Sequence, residues 1–140
     1  MLEKGKFVVS EVRSFEPGQV WRMKGRPQDP EPLVLILASV ESPVLGTVWS
    51  VAIAGVSIPN ARTEDGIQEM LPHAPVTQSV LEEGVIDLVA DDGPLADDPD
   101  FEESYWQWRE PFDRGEAGVF TVPLTEILDI VEQAIRSSAN

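Results

Sequence analysis

The run Leu33-Val34-Leu35-Ile36-Leu37 constrains this chain more than any other segment. It is apolar at every position and has no solvent face, so as a strand it must be covered on both sides. Its neighbours set the pairing. Ser42-Pro43-Val44-Leu45-Gly46 has the composition of a hairpin connection. The β-branched and aromatic stretch from Thr47 to Ile58 then reads as a long strand, with Ala54-Gly55 marking a bulge or bend inside it and Pro59-Asn60 ending it. Upstream, Phe7 to Val12 and Gln19 to Lys24 are short strand candidates, the second opened by the turn pair Pro17-Gly18. These connections are too short for the crossover that parallel pairing needs, so an antiparallel meander is expected.

Residues 60 to 75 carry Asn60, Asp65, Gly66, Pro72 and Pro75, which break any period and predict a surface loop. A helix is expected over Pro75 to Val89, where Val80, Leu81, Gly84, Val85 and Leu88 share a face. The stretch Asp91 to Asp98 is a loop by composition. A second helix then starts on strong signals: Asp98 to cap it, Pro99 at its first position, and Asp100, Glu102 and Glu103 to complement its dipole. Phe101, Tyr105, Trp108 and Phe112 form an aromatic stripe along it, and Pro111 is expected to end it. Gly118 to Val122 reads as a short late strand, and Pro123 opens a final helix whose face is Leu124, Leu128, Val131 and Ile135. Strands first and helices later give an α+β order. The expectation is one domain over residues 1–140, with four to five strands in an amino-terminal antiparallel meander, about three helices in the carboxy-terminal half and one late strand.

The 140 residues contain no cysteine, which removes disulfides, thiol catalysis, iron–sulfur clusters and thiolate zinc sites together. The opening Met1-Leu2-Glu3-Lys4-Gly5-Lys6 leads into only three apolar residues, Phe7 to Val9, unlike a signal peptide. No apolar run approaches the roughly 20 residues that span a bilayer. A cytoplasmic protein with no membrane partner is expected.

Ten basic residues against twenty-five acidic ones leave a formal net charge of −15. Such a field repels nucleic acid and anionic membranes and steers a basic partner inward. Its distribution is uneven: Glu82 to Glu116 holds thirteen carboxylates against Arg109 and Arg114 alone, whereas six of the ten cations lie in the first 26 residues. A solvated, solubilising surface explains the same composition without any partner.

No constellation of known chemistry stands out. The single histidine, His73, lacks a G-x-S-x-G elbow to serve and reads as a surface or packing residue. Asp91, Asp92, Asp97, Asp98 and Asp100 do not follow EF-hand spacing. Glu82-Glu83 and Glu102-Glu103 are adjacent on helices and point about 100° apart, so neither pair makes an acid–base couple. Both phosphate-cradling glycine motifs are missing. No catalytic, cofactor or metal residues are assigned, and no cofactor is expected.

Two resemblances add to this. Pro17-Gly18-Gln19-Val20-Trp21, Arg26-Pro27 and Pro32-Leu33-Val34-Leu35-Ile36-Leu37 resemble the opening of the SH3-like barrels of MazF and PemK toxins. That likeness covers about a quarter of the chain; it implies an SH3-like partial barrel and an RNA-cleaving role for Arg26, although the insertion Gln28-Asp29-Pro30-Glu31 departs from the pattern. Pro17 to Arg26, Asp100 to Trp108 and Gly115 to Pro123 together resemble a group of small bacterial proteins with no assigned activity, which implies a bacterial origin and a stand-alone fold.

The function expected from these observations is a non-enzymatic acidic protein-interaction module, of immunity or antitoxin type, binding a protein with a basic surface. Its candidate contact residues are Asp97, Asp98, Glu102, Glu103 and Trp106, the last lying off the aromatic stripe. The alternatives are a MazF-like ribonuclease or other small enzyme on an SH3-like barrel, and a small-ligand pocket lined by Trp21, Trp49 and Phe120.

Overall fold

The structure, a computed structural model, describes residues 14–138; the candidate strand Phe7 to Val12 lies outside them. Strands β1 (Val20–Met23), β2 (Leu33–Ser42), β3 (Gly46–Pro59) and β4 (Ile67–Thr77) are followed by helix α1 (Gln78–Gly84) and strand β5 (Val85–Ala90), then by helices α2 (Pro99–Asp113) and α3 (Leu124–Ser138). The five strands form one sheet in the order β4-β3-β2-β1-β5, with every neighbouring pair antiparallel. The first four make the expected meander. β5 then returns to the far side of β1, and the sheet stays open because β4 and β5 do not pair.

The β4-to-β5 step fixes the sheet's shape. Laid flat, four strand spacings would separate the two edges by about 19 Å. The seven residues of α1 advance only about 10 Å. The sheet must therefore curl, and it is a partial barrel rather than a plane.

The doubly apolar strand is covered as its sequence requires. Val34 and Ile36 enter the larger core with Phe15, Trp21, Trp49, Val51, Leu81, Ile127 and Leu128, under α1 and α3. Leu35 and Leu37 point the other way and join Ala52 and Phe101 beneath α2. In the β2–β3 hairpin, Ser42 pairs with Gly46, and its hydroxyl accepts from the amides of Val44 and Leu45 at 3.3 and 3.1 Å. The bulge falls at Ala54-Gly55 as expected: the β3–β4 register shifts between Ala54 and Ile58, and Gly55 takes a φ of +78° facing the carbonyl of Glu31.

Four expectations need correction. The loop over 60–75 ends at Gly66, and Ile67 to Thr77 is strand. Pro72 and Pro75 look like loop punctuation, but Pro75 faces the outer side of this edge strand, where its carbonyl accepts from Phe120. Pro72 lies in the register shift between Leu71 and Ala74, and both are places where a strand tolerates proline. The helix over Pro75 to Val89 shrinks to α1, with its buried residues Val80 and Leu81 as foreseen, and Val85-Ile86 and Val89 extend as β5 against β1. A Cβ on Gly84 would lie 2.6 Å from Leu124 Cδ1, so glycine here lets α1 pack closely on α3. Helix α2 runs through Pro111 to Asp113, because a proline in the final turn gives up only one intrahelical bond. The late strand is a single parallel bridge, Val76 with Phe120, held by Phe120 N to Pro75 O at 2.8 Å and Thr77 N to Phe120 O at 3.3 Å.

Candidate functional site: the outer face of helix α2

Two anchors carry the acidic loop to the start of α2: Gly93 N donates to Gly18 O at 2.7 Å and Ala96 N to Leu37 O at 3.1 Å. Asp98 then caps the helix as predicted, its carboxylate accepting from Asp100 N at 3.0 Å. Helical spacing sorts the side chains that follow. Phe101 and Tyr105 are buried against the sheet, Trp108 and Phe112 lie half-buried farther along, and Glu102, Glu103, Trp106, Gln107 and Glu110 face solvent.

The structure thus gathers Glu102, Glu103 and Trp106 on one turn-spaced face, while Asp97 is exposed just before the helix and half-buried Asp98 serves as its cap. Trp106 is 43% exposed, with its ring edge-on to Tyr105 at 5.2 Å. The helix's one cation pairs with Asp113 and not with the carboxylates of this face. Arg109 donates through Nε to Asp113 at 2.9 Å and through Nη1 to the Tyr105 hydroxyl at 2.7 Å, and these bonds hold its pKa above the usual value. Its guanidinium carbon lies 5.9 Å from the Trp106 ring. Arg114 pairs with Glu116 at 3.1 Å. Among the described residues, Asp97, Glu102 and Glu103 enter no ion pair. Among them, too, no cluster of three or more potential ligands could hold a metal.

Beneath α2 lies His73, placed by β4 and half-buried, so it is a packing residue. Its ring sits 5.8 Å from Tyr105, edge-on, and 5.3 Å from Trp108. Burial lowers its pKa from 6.5 to about 4.

No family model, curated protein or solved structure matches this chain.

Arg26, the arginine singled out by the toxin resemblance, sits in the β1–β2 connection with its side chain 4% exposed. Its Nε bonds Asp29 at 2.5 Å, and its Nη1 reaches Asp129 and Glu132 on α3, each at 3.0 Å. Burial opposes the charge, but bonding to these carboxylates more than offsets it and raises the pKa. Asp29 is fully buried and also accepts from Ser57 N at 2.6 Å. The inserted Gln28-Asp29-Pro30-Glu31 thus supplies the buried partner of Arg26. Tight local packing goes with it, since a Cβ on Gly25 would lie 1.8 Å from the Asp29 carbonyl. Sequence reasoning missed this network. Its local half, Arg26 and Asp29 three apart around Pro27, was a readable signal; the half on α3 lies more than a hundred residues away.

Trp21 and Trp49 are core residues. Phe15 meets both edge-on, at 5.3 and 5.9 Å, and their indole nitrogens donate to Gln19 at 2.9 Å and Gln78 at 2.6 Å. A cleft of about 220 Å³ opens between Lys24, Glu83, Gly84, Pro123, Leu124 and Thr125. Its lining contains no histidine. Among the described residues, no helix is long and apolar enough to cross a membrane.

Proposed function

We propose that this chain is a non-enzymatic interaction module that binds a protein with a basic surface through the outer face of α2, in the manner of an immunity protein or antitoxin. One observation carries the proposal: an exposed tryptophan, Trp106, stands beside Glu102, Glu103 and Glu110, while Arg109 is held by Asp113 and Tyr105. The carboxylates supply a field that accelerates encounter with a cation-rich surface, and the indole supplies the large, rigid contact that dominates many interfaces. A ribonuclease role draws no support from Arg26, whose side chain is enclosed by carboxylates.

The test is a pull-down from native bacterial lysate followed by stopped-flow association with the captured basic protein. The association rate should fall steeply with added salt and drop about tenfold or more in the double variant Glu102→Lys/Glu103→Lys. Trp106→Ala should instead raise the dissociation rate, by roughly tenfold for a residue contributing more than about 1 kcal/mol. Asp98 is left intact because it caps the helix. An association rate indifferent to salt and to both glutamates would rule out this face.

A further inference from the structure

His73 is a half-buried titratable group that the binding face does not use. Its Nε2 is enclosed and has no hydrogen-bond partner among the described residues. On one side stand the Tyr105 and Trp108 rings of α2; on the other is the sheet, where β3 pairs Val51 and Ile53 with Ala74 and Leu71 on either side of His73. The ionisable groups of α2 nearest the imidazole are Tyr105 itself and Arg109, bonded to the Tyr105 hydroxyl, with Asp113 beyond it. The neighbouring strap, Gly118-Val119-Phe120, accepts from the Trp108 indole at Gly118 O, 2.9 Å away, and carries no ionisable side chain. Among the described residues, no carboxylate meets Nε2. A proton placed there would be a buried donor without an acceptor.

We propose that His73 is a proton-operated clasp between β4 and α2: the neutral imidazole holds the helix on the sheet, and protonation releases it. Release of α2 frees Nε2 to reach water and uncovers Tyr105, Trp108 and the Leu35–Leu37 side of the sheet. The inference is independent of any partner for the outer face.

The sign follows from linkage. Docked, the imidazole holds its proton only below about pH 4, against 6.5 when free. The docked state is therefore fully favoured above pH 6.5 and loses ground as pH falls from there towards 4, by about tenfold per pH unit.

Because His73 is the only histidine, its ring protons can be followed by NMR without assignment. Backbone amide exchange, corrected for intrinsic rates, reports the opening of α2 separately from that of β2 and β3. The expected result is a His73 midpoint well below 6.5 and an α2 opening equilibrium that rises about tenfold from pH 6 to pH 5, with β2 and β3 still protected. In His73→Phe the rise over that range should vanish. Three results would each overturn the proposal: a midpoint near 6.5, loss of protection in all strands together, or the same pH dependence in His73→Phe. If His73→Phe does not fold, His73→Gln serves in its place, and the wild-type titration decides by itself.

Discussion

At the scale of single residues, the deepest electrostatic commitment is Arg26 with Asp29. Both are buried, and among the described residues Asp29 has Arg26 and the Ser57 amide to compensate its charge. Removing one member of such a pair leaves the other charged and desolvated, which typically costs about 3–5 kcal/mol. Arg26→Ala should lower the urea midpoint accordingly, whereas Arg22→Ala, which breaks the exposed bidentate pair with Asp87, should hardly move it. Equal shifts for the two would mean that water reaches Arg26. Half of this contrast was legible in the sequence, in Asp29 three residues from Arg26; the other half, the packing of α3 over the β1–β2 connection, was not.

At the scale of elements, local signals were read well wherever the chain itself supplies the reason for a structure. Asp98-Pro99 starts α2, Ser42 and Gly46 build the hairpin, and Gly55 marks the bulge. The errors fall where tertiary placement overrides local chemistry. Pro72 and Pro75 are loop signals that an edge strand tolerates, and Val80 to Leu88 kept a helical period while the fold divided it between α1 and β5. The candidate face of α2 was partly legible: Trp106 was placed outside the buried stripe and is exposed, but Asp98 is taken up by capping. Asp98→Ala should therefore destabilise α2 by about 1 kcal/mol, read as faster amide exchange in its first turn. An unchanged first turn would show that Pro99 alone fixes the start.

At the scale of the whole molecule, a net charge of −15 on 140 residues makes the compact state repel itself. Raising ionic strength from about 0.01 to 0.15 M shortens the screening length from roughly 30 to 8 Å. The thermal midpoint should rise over that interval while association with a basic partner slows. A midpoint that falls with salt would show that attractive surface pairs outweigh the repulsion.

The strand order has one more result, in time rather than space. β1 is flanked by β2, which follows it directly, and by β5, which ends at Ala90. A chain emerging amino-terminus first can zip β1 to β4 together as each strand appears. The far flank of β1 must wait about fifty residues longer for its second neighbour. Until then Val20–Met23 is a bare border, and release before Ala90 would leave a sticky fragment instead of a smaller fold.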